Sequence, residues 1–280
     1  MRADCHMHMI LDGYEWKSAI ARHKERPDED FIHRVLKTYQ DLGYTYLRDG
    51  GDRWNAGKRA RELAPEYGIT YVTPLAPLCR EGHYGAFIGK TYRNMKEYAA
   101  LVQAQKAEGA DFIKIMISGL MDFDHFGVLT EPGQDPGEIK ELIHIAHEEG
   151  MTVMAHANGA RTVEAAAAAG LDSVEHGAYL DEDALKAMEE NGTVWVPTLS
   201  TIGNLLGKGR FPDAETSRIL ESALHNLERY KGLVACGTDA GAWAVPHGSE
   251  TEPELLARAG ITPERYWQGN RVIMEKFYNR

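Results

Sequence analysis

The stretch MTVMAHANGARTVEAAAAAGLDSVEHGAY, residues 151–179, decides the fold. It opens with a short apolar run over 151–157 that carries His156 near its end. The small turn-forming residues Asn158 and Gly159 follow. An Ala-rich helical pattern then covers 160–169 and stops at Gly170, a residue that readily ends a helix in the left-handed conformation. A second apolar run, 172–176, ends on His176. Two strands joined by one helix make a parallel unit, and both histidines fall at the C-terminal ends of the strands.

Working outward, the unit repeats. Strand-like runs lie near 3–9, 45–49, 69–75, 111–117, 151–157, 172–176, 193–199 and 233–238. Helical patterns read at 29–42, 56–67, 94–108, 136–149, 160–169, 181–191 and 213–231. In 136–149, Pro136 suits the first turn, where its missing N–H has no helical partner to lose. Ile139, Leu142, Ile143 and Ala146 make one apolar stripe, and Gly150 ends the element. Eight alternations predict an α/β fold, a (β/α)8 TIM barrel occupying residues 1–280 as a single domain. Such barrels typically need about 250 residues.

Composition narrows the function. The net charge of −11 argues against nucleic acid or an anionic membrane as partner, and leaves a small-molecule substrate. Three widely spaced cysteines, Cys5, Cys79 and Cys236, form neither a disulfide framework nor a zinc-finger spacing. No apolar signal segment precedes MRADCHMHM, and no run is long enough to span a bilayer, so a cytoplasmic location is expected. An assembly of identical chains is left open.

Chemistry concentrates at the ends of the strand-like runs, where barrel active sites sit. His6 and His8 are two apart in the first run, so alternation points both to one face, and Asp4 shares that parity as a candidate to orient a ligand. A lone HxH is more often structural. His156, His176 and Asp239 (in ACGTDAG) join it at other strand ends, and a structural reading does not explain the set. Lys114 lies inside the apolar run DFIKIMIS, where a free ammonium is costly. It could form a Schiff base, pair with a carboxylate, or be carbamylated into an anionic ligand. The last fits best, because two cations among neutral imidazoles need negative charge.

Around this set stand weaker candidates for substrate contact. Arg48, beside Asp49 in YLRDGG, could clamp a carboxylate or form a structural ion pair. His83 and Tyr84 follow the third run. His125 lies with Asp122, Asp124 and Phe126 on a long loop over 119–135 and is the candidate donor to a developing oxyanion. Asn158, Tyr179 and Thr198 each follow a strand end and are candidate lining residues, with His247 a weaker one. For all of these, ordinary turn chemistry is a standing alternative.

Taken together, His6, His8, Lys114, His156, His176 and Asp239 resemble the amidohydrolase superfamily, in its binuclear, carboxylated-lysine subtype. The strings FIKIMISG (112–119), VMAHANGARTVEAAAAAGLDSVEHG (153–177) and VPTL (196–199) look like its imidazolonepropionase-related, prolidase-like branch. The resemblance implies two divalent ions, zinc being usual. His6, His8 and Asp239 would hold one, His156 and His176 the other, and N6-carboxylated Lys114 would bridge them together with a hydroxide. It further implies hydrolysis of an amide-type C–N bond (in a dipeptide, an N-acyl amino acid or a cyclic amide), with Asp239 moving the proton. Lactone or phosphotriester hydrolysis on the same site, or a non-catalytic metal-binding barrel, are the alternatives; Lys114 argues against a one-metal deaminase. Two departures stand out. The family's small β-sandwich domain is expected to be absent or vestigial, and Trp267 to Asn270 replaces the usual Ala-Thr-x-Asn string.

Overall fold

A computed structural model describes residues 2–278; Met1, Asn279 and Arg280, the ends of the expected 1–280 domain, lie outside it. Among the described residues nine strands pair in parallel, most of them separated by helices, with the third, fourth and fifth following one another directly. They are β1 (Arg2–Met7), β2 (Tyr44–Asp49), β3 (Thr70–Val72), β4 (Leu78–Arg80), β5 (Lys90–Tyr92), β6 (Ile113–Met116), β7 (Val153–Ala157), β8 (Ser173–His176) and β9 (Val194–Val196). Regular ladders form a three-stranded sheet, β1-β2-β3, and a six-stranded sheet ordered β5-β4-β6-β7-β8-β9. The result is an α/β fold built on parallel sheet.

The helices at 29–41, 56–63, 95–107, 136–148, 160–168, 182–191 and 213–229 fall where the patterns place them, and four others among the described residues lie outside those patterns. They are α1 (Trp16–His23), α2 (Glu29–Asp41), α3 (Ala56–Leu63), α4 (Met95–Ala107), α5 (Pro136–Glu148), α6 (Ala160–Ala168), α7 (Glu182–Asn191), α8 (Ser200–Gly203), α9 (Asp213–Arg229), α10 (Thr251–Arg258) and α11 (Pro263–Phe277). The expected tail of the 56–67 helix is a separate 3-10 turn, Ala64–Tyr67, because Pro65 has no N–H to continue the α-pattern. In α5, Asp135 caps the first turn by accepting from Gly137 N, and the stripe Ile139, Leu142, Ile143 and Ala146 is buried against the sheet. Each such Leu or Ile contributes about 1.5–3 kcal/mol on burial. The unanticipated α1 is started by Glu15, whose carboxylate accepts from Lys17 N and Ser18 N. Strands β4 and β5, also unanticipated, carry between them a loop over 81–89 that reaches the rim.

Residues 233–238, read as an eighth strand, do not form a continuous ladder. Val234 bridges Trp195, and Ala240 bridges Met7. Between those points Cys5 N donates to Cys236 O (2.9 Å), Asp239 N to His6 O (2.7 Å) and His8 N to Ala240 O (2.7 Å). The segment therefore runs beside both β9 and β1. Its approach is very close: a Cβ on Gly237 would lie 2.5 Å from Val196 Cγ1 and 2.8 Å from His6 N. At the other edge, Asp111 N donates to Thr73 O (3.0 Å), linking the exit of β3 to the entry of β6.

Beneath the strand ends sits an apolar cluster of Cys5, Tyr46, Val72, Phe112, Met154 and Val196, among others, with Ile273 and Phe277 of α11. Phe277 meets Phe112 edge-on at 5.1 Å. Thus α11 covers the N-terminal side of the sheet and leaves the C-terminal strand ends open to a cavity. Among the described residues no helix is long and apolar enough to cross a membrane.

Candidate metal centre and active site

Strand alternation brings the ligands inward on β6 and β7. Ile113 and Ile115 face the helices, so Lys114 faces the interior; Val153, Ala155 and Ala157 do the same for His156. On β1 a one-residue register shift lies between Asp4 and Met7. The shift returns His6 and His8 to the interior but turns Asp4 away. Asp4 accepts from Thr238 N (3.0 Å), Thr238 Oγ1 (2.6 Å) and Tyr39 Oη (3.2 Å) and touches no ligand ring, contrary to the expected shared parity. His176 and Asp239 are held inward by left-handed backbone, φ +70° and +55°. Such a conformation is uncommon outside glycine and clusters at functional sites.

The six groups converge. His6 Nε2 lies 3.3 Å from His8 Nε2 and 3.0 Å from Lys114 Nζ. Asp239 Oδ1 lies 3.4 Å from His6 Nε2 and 3.3 Å from His8 Nε2, and is buried without a hydrogen bond. Ring centroids of His156 and His176 are 4.6 Å apart, and that of His176 is 5.3 Å from His6. His8 fits only because residue 50 is glycine: a Cβ there would sit 2.1 Å from His8 Cε1.

The far nitrogen of two imidazoles, His176 and His156, is hydrogen-bonded, which fixes where the lone pair points, and that of His6 faces a carboxylate without a hydrogen bond. His6 Nδ1 faces Glu175 Oε2 at 2.8 Å. Thr198 Oγ1 donates to Pro197 O (2.8 Å), so it accepts from His176 Nδ1 at 2.7 Å. His156 Nε2 donates to Gly119 O at 3.1 Å. The nitrogens so left as acceptors are Nε2 of His176 and Nδ1 of His156. Burial, followed by the Lys114 charge, holds His6 and His8 well below the ordinary imidazole range. Burial pushes His156 down to about 3. The same desolvation lowers the Lys114 ammonium and raises the Asp239 carboxyl. Neutral imidazoles, a buried carboxylate oxygen lacking a hydrogen bond and a lysine whose ammonium burial disfavours form a donor set that fits divalent metal. Within it, His6, His8 and Asp239 stand close enough to share one ion.

Of the expected substrate contacts, two border the cavity. Tyr84 packs on His156 with centroids 4.7 Å apart. Asn158 lines the cavity while bonding Gly119 O (3.0 Å) and Ala178 N (2.9 Å). The others are placed differently. Arg48 is fully buried: its guanidinium donates to Cys5 O (2.6 Å), Ser173 Oγ (2.8 Å) and Glu175 Oε1 (2.8 Å), so it holds Glu175 and cannot clamp a substrate. His125 has a 72% exposed side chain tied to Asp122 at 3.0 Å, away from the cavity lining, and is not an oxyanion donor in this geometry. His83 pairs with Glu131 at 3.3 Å at the surface. Tyr179 packs on Phe126 outside the lining, and Thr198 orients His176 rather than meeting substrate. His247 donates from Nε2 to Leu11 O (2.9 Å) beneath the rim.

Glu175 was missed in the sequence. Its signal was the carboxylate directly before His176 in a strand, two positions after Ser173 on the same inward face.

The amidohydrolase family model matches residues 19–265. The chain belongs to the amidohydrolase family. Among curated relatives, this amidohydrolase is 26% identical to an ochratoxinase of Aspergillus niger over 93% of its own length and 61% of the relative's. It is 30% identical to an uncharacterized protein of Mycobacterium tuberculosis over 81% of its length and 62% of that protein. The chain thus spans about three-fifths of the curated relatives it matches. Among solved structures, a Xaa-Pro dipeptidase with bound methionine superposes with a TM-score of 0.77 at 21% identity, covering 98% of this chain and 75% of the other. The A. niger ochratoxinase superposes with a TM-score of 0.73 at 24% identity, covering 95% and 69%. These likenesses establish the fold, with its prolidase-like neighbours.

Proposed function

We propose that this amidohydrolase cleaves an amide-type C–N bond, in a dipeptide, N-acyl amino acid or cyclic amide, at a centre of two divalent ions. His6, His8 and Asp239 would hold one ion, His156 and His176 the other, and carbamylated Lys114 would join both; zinc suits this mix of imidazole and carboxylate. The carrying observation is the convergence of His6, His8 and Asp239 within one ion's reach, with Thr198 and Gly119 fixing the far nitrogens of His176 and His156. Family membership supports the reaction class. The bonds of residues 233–240 to β9 and β1 support one (β/α)8 barrel around the site.

When bound, the ions would lower the pKa of water and polarise the scissile carbonyl. The chain's own residues do the rest. Asp239, the carboxylate lining the cavity floor, takes the proton of the attacking water and passes it to the leaving nitrogen. The water oxygen bonds to the carbonyl carbon, the C–N bond breaks, and carboxylate and amine result. Tyr84, kept as the neutral phenol by burial, donates to the carbonyl oxygen. Lys114 reacts with CO₂ as the free amine that burial favours.

The test is metal reconstitution in bicarbonate, with metal analysis and a panel of dipeptides and N-acyl amino acids. Release of free amine is expected. A metal-loaded protein that cuts lactones or phosphotriesters but no amide would overturn the reading.

A further inference from the structure

Helix α11 carries two stripes of different character. Gly269, Asn270, Ile273 and Phe277 are buried. Trp267, Arg271, Met274 and Glu275, with Tyr278 just past the helix end, recur at helical spacing and border a groove of about 510 Å³ at the entry of β1, where Ala3 completes it. Trp267 and Tyr278 are 51% and 45% exposed, so two large rings stand at the surface about 16 Å apart along the axis. Trp267 opens the string in which this sequence departs from Ala-Thr-x-Asn. Aromatic rings with Met and Arg around a groove have the composition of an interface core rather than of ordinary surface.

The polar groups of this face are left over by the chain's own bonding. On the same helix, Arg265 donates to Tyr230 O and Lys276 donates to Asp172 Oδ1 (3.2 Å). Arg271 and Glu275 stand one turn apart, yet neither makes an ion pair or side-chain hydrogen bond among the described residues. Arg placed N-terminal to Glu is the weaker order for a pair within one helix. Asn270, 5% exposed, accepts from Cys236 N (2.8 Å) and Cys5 Sγ (3.4 Å) at Oδ1, and its Nδ2 meets no acceptor among the described residues.

This face is complementary to itself. In two α11 helices set antiparallel about a two-fold axis between Val272 and Ile273, Trp267 of each copy falls opposite Tyr278 of the other. In the same alignment Arg271 falls opposite Met274, one position from Glu275, and Asn270 falls opposite Glu275. Ring then meets ring, the Arg271 stem lies on Met274, and the Glu275 carboxylate accepts from both the guanidinium and Asn270 Nδ2. A two-fold contact requires this matching of a patch with itself. We infer that a second copy of this chain docks on α11, making a homodimer paired antiparallel through this helix. The groove lies at the entry of β1, away from the open strand ends, so pairing leaves both metal centres accessible.

The test is sedimentation equilibrium of the metal-loaded full chain. One helix pair covers less than the roughly 800 Å² per partner of a standard interface, so a dissociation constant of about 10 µM is expected. Trp267→Glu should weaken pairing about a hundredfold, since a buried Trp is commonly a hot spot. Trp267 is exposed in the single chain, so its replacement leaves the core intact, and circular dichroism checks this. Arg271→Glu and Glu275→Arg should each weaken pairing about tenfold, by setting like charges opposite one another. Mixed in equal amounts, these two variants should pair with each other at close to wild-type strength, because each reversed charge is then answered across the axis. The double variant R271E/E275R should recover likewise. A role confined to one chain gives no recovery on mixing. A chain that stays single at about 100 µM overturns the inference. So does a dimer indifferent to Trp267→Glu, which would pair through another face. A dimer that Trp267→Glu breaks but that mixing does not restore overturns the antiparallel pairing, and the inference with it.

Discussion

The two sides of the ligand cluster are built differently. On β6, β7 and β8 the ladder is continuous, with Lys114 opposite Met154 and His156 opposite Glu175. Along β1 and residues 233–240 the pairing is a register shift and isolated bridges. Yet the tightest group of ligands, His6, His8 and Asp239, belongs to this irregular seam. The regular side is held by backbone pairing and a large apolar cluster. The seam relies on close approach at Gly50 and Gly237 and on side-chain bonds such as those of Asp4 to Thr238. Chemistry that needs three donors within one ion's reach is served by the part of the sheet that departs from ideal pleating, where backbone can bring side chains closer than alternation allows.

The largest expected effect is on turnover. Asp239→Asn keeps the size of the seam ligand and removes its charge. Hydrolysis should fall by about 10³-fold, in the range set by removal of a general acid–base group, with the circular dichroism spectrum unchanged. Activity within tenfold of wild type would show that the seam carboxylate does not handle the proton.

Next is the joint between the two sides. Arg48 on β2 anchors Glu175 on β8, which in turn faces His6 on β1. Arg48→Met should destabilise the fold by about 3–5 kcal/mol, because it leaves a buried carboxylate unpaired. Denaturant unfolding measures this. A loss below about 1 kcal/mol would mean that the pair does not tie the sides together.

Acid should act on the seam side. Burial pushes His23 and His247, both packed near β1 and its loop, down to about 4 from the ordinary 6.5. Between those values the unfolded chain binds more protons than the folded one, so stability rises with pH there. The contribution is full above pH 6.5 and is lost as pH falls through 4, at most about 3 kcal/mol per imidazole. His23 Nδ1 accepts from Asp28 N, so His23→Gln should flatten about half of this dependence in a pH series of unfolding curves. An unchanged slope would remove His23 from the account.

Smallest is the effect of chelation. Stripping divalent ions should speed hydrogen exchange about tenfold at the amides of Cys5, His8 and Asp239, which bridge the seam, and leave Ala155 and Val174 unchanged. Uniform acceleration would erase the distinction between the two sides.

This contrast also explains what the sequence disclosed. Lys114 and His156 lie in runs that obey strand alternation, so their inward aim was legible, as were helices such as α5 with its cap and stripe. Asp4 was misjudged because a bulge is invisible in a period-two reading. Arg48 looked like a rim residue because it ends an apolar run; only its partners Ser173 and Glu175, more than a hundred positions away, place it in the interior. His125 sat in a long loop that does reach the cavity, but Leu120, Met121 and Phe123 are the residues that line it. The aromatic walls of the cavity left no pattern at all, since Trp16, Phe87, Phe211 and Trp243 come from separate segments of the chain and meet only in three dimensions.

The helix α11 beneath the sheet has a bearing on traffic. With Ile273 and Phe277 filling the N-terminal side, whatever enters over the aromatic rim must leave over it as well. Arrival and departure therefore share one doorway, and a wall that grips the incoming molecule more firmly also detains its fragments. Past a certain firmness, release of what the chamber holds becomes slower than its entry.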